Sequence, residues 1–381
     1  MEIENEVLKN YAELPNEVRE LYKKYVIELP KIELNGGEEE KGLEILKASL
    51  NIVGEKAESR DEEVRISREK EIEIERREGF ILPEERAAVE LMRMEKLKVE
   101  IDVHKNSGKW IAIQNQHLPV AIEINVKKGV EAKISEYITS SSTAAIIHSI
   151  NVEEGAELEL NLIFNGKKGS FTICLSDAKC NERSKLRINA FYNGSSITKT
   201  FTNVNVLGKF GDARVNELVF GADEQKFDIS TFVTNSNERT KAEGLGGALL
   251  DERSYCIMKG YAKVNKDTRG SYSNIAERGI LLSKDAQMKP LPDMSINYSN
   301  EIIATHSAST YPLSEEAIFY LMSRGISEKE AREMLLTGFA LRYLSDMKDE
   351  IAKEVAIGLL NNKMKSKKFG EFVLSTEGVW L

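Results

Sequence analysis

A mainly β chain, wound as a β-solenoid with helical segments at both ends, is the fold class the sequence predicts. Three observations predict it. From about Lys96 to Asn300 short alternating strands recur, with turns every dozen residues or so. Within that stretch a unit of strand, polar break, Gly and strand repeats at intervals in the twenties. After Tyr311 the apolar period becomes helical. The expected division is a helical domain with a charged linker over 1–95, a β-helix core over 96–310 and a helical domain over 311–381.

Along the chain, Pro15-Asn16-Glu17 starts a helix carried by Val18, Leu21, Tyr22 and Tyr25 and stopped by Pro30. Charges dominate from Glu55 to Glu78, and the alternation Glu71-Ile72-Glu73-Ile74-Glu75 reads as a solvated strand or linker. Pro83-Glu84-Glu85 opens a helix to about Met94.

The repeat is clearest where Ile124-Asn125-Val126-Lys127-Lys128-Gly129 returns 26 residues later as Ile150-Asn151-Val152-Glu153-Glu154-Gly155. Looser copies begin at Val204-Asn205-Val206 and Val264-Asn265. Stacked coils each hide one apolar row against their neighbours, and Gly permits a corner with positive φ. A β-sandwich with strands every 8–12 residues is the rival architecture.

In the last segment Ser314, followed by Glu315 and Glu316, caps a short helix that Gly325 ends. Ser327-Glu328-Lys329-Glu330 is a capping box for the next helix, whose stripe reads Ala331, Met334, Leu335, Gly338, Leu341 and Leu344. Ile351, Val355 and Leu359 extend a later stripe, and the tail beyond Lys368 offers Phe372 and Trp380 as anchors.

Composition excludes several functions. The 381 residues carry a net charge of −9, which argues against nucleic acid and against an anionic membrane as partner. No run of about 18 apolar residues occurs. The opening Met1-Glu2-Ile3-Glu4 lacks the basic and apolar regions of a signal peptide, so the chain is read as cytoplasmic. Three cysteines (Cys174, Cys180, Cys256) without CxxC spacing make neither a disulfide framework nor a self-sufficient metal site. The histidines at 104, 117, 148 and 306 form no HExxH pair, and the chain has no GxSxG elbow and no GxxxxGK[ST] loop. The expectation is a non-enzyme with no ATP site of its own. The alternative, a β-helical carbohydrate-active enzyme, would need an Asp cluster on one solenoid face. His306, among small hydroxyl and methyl side chains where strands give way to helices, is accessible enough to ligate a borderline metal such as iron, and a structural hydrogen bond is the alternative reading of a lone histidine.

The stretch 279–341 resembles the C-terminal signature of the SufB/SufD family of iron–sulfur cluster assembly scaffolds. It carries Gly279-Ile280-Leu281-Leu282-Ser283-Lys284-Asp285-Ala286, then Pro292-Asp293-Met294-Ser295-Ile296 and His306-Ser307-Ala308. Phe319-Tyr320-Leu321-Met322-Ser323-Arg324-Gly325-Ile326, Glu330-Ala331 and Gly338-Phe339 follow. The resemblance implies a right-handed parallel β-helix between helical domains, and a SufC-type ABC ATPase bound to the C-terminal helices. It also implies pairing through the β-helix with a SufB-type subunit or with a second copy of this chain. Phe319, Tyr320, Ser323, Arg324 and Gly325 are the expected ATPase contacts. His306 falls on the family's interface histidine, a ligand for a transient iron–sulfur cluster shared with the partner. Departures point to a SufD-like or divergent member. Leu291-Pro292-Asp293-Met294-Ser295 carries no cysteine, Ser307 replaces the glycine after the histidine, Ser295 replaces an acid, and Ala304 stands where a cysteine is sometimes found.

Overall fold

The computed structural model describes residues 16–18, 20, 50–53, 56–59, 61–69, 91, 94–114, 118–140, 142–297 and 301–366. Asn16–Val18 and Glu20 are helical, as expected of the first segment. Its remainder, most of the helix expected over 83–94, part of the charged stretch and the tail with Phe372 and Trp380 lie outside the described residues.

The strands build two sheets that alternate along the chain, so that each coil contributes one strand to each. The first sheet holds β1 (Leu50–Val53), β2 (Lys56–Ser59), β5 (Ser107–Gln114), β7 (Glu131–Ser140), β9 (Glu157–Gly166), β11 (Lys185–Asn193), β13 (Asp212–Gly221), β15 (Lys241–Leu250), β17 (Tyr272–Leu281) and β19 (Ile303–Pro312). The second holds β3 (Val64–Glu69), β4 (Lys96–Val103), β6 (Val120–Val126), β8 (Thr143–Val152), β10 (Phe171–Cys180), β12 (Ile197–Val206), β14 (Lys226–Asn235), β16 (Tyr255–Val264) and β18 (Gln287–Ile296). Every pairing from β4 and β5 onward is parallel, which makes a β-solenoid of about seven turns and removes the sandwich alternative.

The sequence echo is the coil itself. Ile124, Asn125 and Val126 pair with Ile150, Asn151 and Val152, and Asn151 leads through Lys179 to Asn205 on the same row. The last copy is displaced, because Val264 stands above Asn235 and Val206 rather than on the row of Val204. Coils lengthen toward the C-terminus, so a fixed repeat drifts out of step. Corners take the left-handed conformation at Gly129 and Gly155, and later coils place Arg183, Phe210 and Arg239 there with φ of 55°, 61° and 54°. The glycine signal therefore fades although the corner geometry persists.

Inward rows pack the core. Ile134, Leu160, Ile188, Val215, Gly244, Ile275 and His306 stand in register on successive coils. Each fully buried aliphatic side chain contributes about 1.5–3 kcal/mol. Both outer faces are covered too. Val18 and Leu91 pack with Ile147, Leu175, Phe201, Phe232 and Tyr261 on the second sheet.

Three helices follow: α1 (Glu315–Ser323), α2 (Glu328–Leu344) and α3 (Glu350–Ser366). On the first sheet Leu336, Ala340, Tyr343 and Leu360 cover Ile163, Phe191, Leu218 and Leu249. The α2–α3 turn is fastened by polar contacts. Asp346 accepts from Arg214 at 2.9 Å and from Asn216 at 3.1 Å, at the end of a ladder in which Asn216, Asn189 and Asn161 bond in series. Ser135 donates to Asp349 at 2.7 Å, and Glu159 accepts from the backbone N–H of Lys348, also at 2.7 Å.

Candidate functional site

The ends of the solenoid differ, and the candidate site lies at the unprotected one. β18 and β19 each have a paired neighbour on one side only. Both are ten residues long, yet most positions of β19 are exposed, because no further coil stacks on them. His306 occupies an inward position beside Ile275 but faces solvent there. Its Nδ1 lies 3.3 Å from the carbonyl oxygen of Pro292 on β18, so the ring leans across the mouth between the sheets. Thr305 donates to Asn274 at 2.8 Å and helps to fix the strand. An imidazole held this way keeps Nε2 available to a metal or a partner's side chain. Ile296 and Ile303 are exposed on the same end.

The other candidate ligands are elsewhere. His104 is exposed near the first coils and His117 lies outside the described residues. Cys174, Cys180 and Cys256 are all free and buried. Burial pushes the Cys180 thiol up to about 11, and that of Cys256 well above its ordinary value. Such thiols are structural. Among the described residues no group of three or more His, Cys, Asp or Glu is placed to hold a metal ion.

The expected docking residues gather on α1. Ser314 caps the helix, accepting from the N–H of Ala317. At the other end Gly325, with φ of 85°, donates to the Met322 carbonyl at 2.9 Å and Ile326 to that of Leu321 at 3.3 Å, a Schellman close. The capping box of α2 forms between Ser327 and Glu330. Phe319 is 73% exposed and Tyr320 56%, so neither packs the helix on the body; Ile318 does that instead. Arg324 donates to the Tyr320 hydroxyl at 2.9 Å and lies over its ring at 5.1 Å. Ser323 spends its hydroxyl on the Tyr320 carbonyl, 2.7 Å away. Phe319, Tyr320 and Arg324 thus present chemistry outward, whereas Ser323 and Gly325 shape the helix end.

One apolar stripe read from the sequence needs correction. Ala331 and Leu344 of α2 are buried, but Met334 is 53% exposed and Leu341 is exposed as well. The buried positions are Ala331, Leu336, Ala340, Tyr343 and Leu344. Tyr343 replaces an aliphatic anchor, meeting Gly247 where a side chain would clash with its ring, and this turns the helix on the sheet. Met334, Gly338 and Leu341 instead line an open groove of about 750 Å³ with Ile326 and Met364.

Sequence reasoning missed the polar groups inside the solenoid. His148 is fully buried, with Nε2 3.0 Å from Glu136 and Nδ1 3.1 Å from Ser176 and 3.6 Å from Cys174. Burial alone would lower its pKa, but the Glu136 carboxylate and then Cys174 outweigh that and raise it to about 10. Asp228 lies between Lys199 at 3.1 Å and Lys259 at 2.9 Å. Burial opposes its charged form, and the two ammonium groups overcome this and lower its pKa.

The fold is a parallel β-solenoid that carries helices on one face of its first sheet. The model of the SufBD core domain of the SUF system for FeS cluster assembly matches residues 109–339, and the chain belongs to that family. An iron–sulfur cluster assembly SufBD family protein of Staphylococcus haemolyticus is 25% identical over 232 residues, 61% of this chain and 49% of that protein. The iron–sulfur cluster assembly protein SufD of Escherichia coli is 21% identical over 246 residues, 63% of this chain and 58% of that protein. This chain spans about half the length of the curated relatives it matches.

Proposed function

We propose that the chain is a non-catalytic accessory scaffold of SUF iron–sulfur cluster assembly. A SufC-type ABC ATPase docks on its C-terminal helices, and a SufB-type subunit or a second copy of the chain docks on the open end of the β-helix. The observation that carries this reading is the apolar surface of α1 and α2. Phe319, Tyr320 and Met322 of α1 stand in solvent, as do Met334 and Leu341 in the groove on α2, and the α2–α3 turn is fastened to the body through Asp346 and Asp349. Exposed apolar side chains at such density mark a protein interface.

In this reading the cluster is cargo. His306 supplies one ligand and the partner supplies thiolate, since this chain's thiols are buried. ATP-driven movement of the ATPase pulls on α1 and α2, and their polar staples pass the load to the first sheet and so to the open end. Among the described residues no helix is long and apolar enough to cross a membrane.

Co-purification tests the reading. A SufC-type ATPase is expected to come down with the wild-type chain and to be lost with Phe319→Asp plus Met334→Asp. Retention by that variant sinks the docking role. In the mixture with partners, His306→Ala is expected to lower iron and sulfide occupancy while ATPase binding persists; unchanged occupancy removes His306 as a ligand.

A further inference from the structure

Two inward glutamates beneath the open end have no counter-charge. Glu217 of β13 and Glu277 of β17 stand on one inward row, separated by Gly246 of β15, and Ala308 of β19 comes next. Both are buried. Several other buried carboxylates are matched: Asp228 by Lys199 and Lys259, Glu243 by Arg214 and Lys241, and the inward-facing Glu136 by His148. Among the described residues no ion pair joins Glu217 or Glu277 to a cation. Glu217 accepts from the Tyr192 hydroxyl at 3.0 Å and from the hydroxyl of Thr231. Glu277 accepts from backbone N–H groups of Leu291 and Gly260, and its Oε2 has no partner at all.

Glu217 and Glu277 line a cavity of about 10 Å³ together with Thr231, Met258, Ile229, Ile275 and Lys259, whose ammonium lies 2.9 Å from Asp228. That volume holds one water-sized particle. Side chains are excluded from its walls: a Cβ on Gly246 would stand 2.7 Å from Met258 Sδ, and one on Gly260 would stand 2.8 Å from Glu277 Oε1. The space is kept for the two carboxyl groups and one small occupant.

We propose that Glu217 and Glu277 form an internal site for a single hard divalent cation, with the Thr231 hydroxyl beside them. The donors are two carboxylates and a hydroxyl, the oxygen ligands that suit Mn(II), and the Met258 thioether only walls the space. An orphaned, fully enclosed carboxylate oxygen is costly, and a cation removes that cost for both residues at once. Without a cation, burial holds Glu277 well above the usual carboxylate range and Glu217 at about 7, as expected for acids lacking a positive partner. Entry is short. Only the coil of β18 and β19 covers Glu277, and His306 stands beside Ile275, which lines the same cavity.

The site goes beyond the docking reading and does not depend on it. The test is Mn(II) binding to the full chain, followed by electron paramagnetic resonance. Wild type is expected to bind about one ion, and Glu277→Gln and Glu217→Gln each weaken it about tenfold or more. No binding, binding indifferent to both Gln variants, or binding lost only with His306→Ala overturns the proposal. Should a Gln variant not fold, manganese anomalous scattering from a wild-type crystal decides: a peak between Glu217 and Glu277 supports the site, and a peak elsewhere or water alone overturns it.

Discussion

The solenoid begins and ends in opposite ways. At its N-terminal end β3 runs antiparallel against β4 and β2 antiparallel against β1, so the first coils are closed by strands that break the parallel order. At the C-terminal end β18 and β19 keep full ten-residue registers on one side and, among the described residues, pair with no strand on the other. An antiparallel cap ends a stack, because the next coil would need a parallel edge; an uncapped parallel edge invites another chain. The two ends therefore differ in the direction of their last strands, antiparallel at one and parallel at the other.

The interior follows the same division. Near the closed end the buried acid Glu136 has His148 as its partner, whereas Glu217 and Glu277 near the open end have none. Among the inward-facing acids the matched one lies in the closed half and the two unmatched ones nearer the open end, while Asp228 and Glu243 on the outer faces are matched.

The largest effect that can break this comparison lies on one inward row. Ile188→Ala in the closed body is expected to cost about 2–5 kcal/mol, whereas His306→Ala, four coils along the same row, should change stability by less than about 0.5 kcal/mol. Urea unfolding of both variants checks it. Equal losses would mean that the last coil is stacked in solution and that the end is not open.

A second test addresses the edge directly. Ile296→Lys with Ile303→Lys places charges on the exposed strand ends, which should weaken association with a SufB-type partner or a second copy by about 100-fold, near 2.7 kcal/mol. Monomer stability should hardly move. Light scattering reads the first and urea unfolding the second; undiminished association places the interface elsewhere.

Much of the body was legible in the sequence because coil length is set by covalent arithmetic. Two ten-residue strands and two short corners fix a period of 26 residues between Ile124 and Ile150, and any sequence obeying it shows an echo. His306 was legible as a boundary residue for the same reason. The internal acids were not. In Asn216-Glu217-Leu218-Val219-Phe220 both faces carry apolar residues, since Leu218 and Phe220 point toward α2 and α3 while Val219 points inward. Alternation then loses its meaning, and Glu217 reads as a solvated acid. The groove on α2 was hidden by the opposite ambiguity, because Met334 and Leu341 keep a helical period whether they face a core or a partner.

The smallest effect concerns the matched pair in the closed half. With its pKa raised to about 10 against an ordinary 6.5, His148 stays protonated in the native state over a range in which the unfolded chain releases the proton. Its contribution to stability is therefore complete below pH 6.5 and declines as the pH rises toward 10, by at most about 1.4 kcal/mol per unit. Glu217, raised to about 7 from 4.5, acts in the same direction over a lower window, because the native state again holds the extra proton. Chemical denaturation between pH 5 and 10 should show stability falling through both windows, and Glu217→Gln should flatten only the lower one. A flat profile from pH 6.5 to 9 would mean that the His148–Glu136 pair holds no proton in the native chain. The contrast between matched and unmatched interior charge would then fail at its better-determined end.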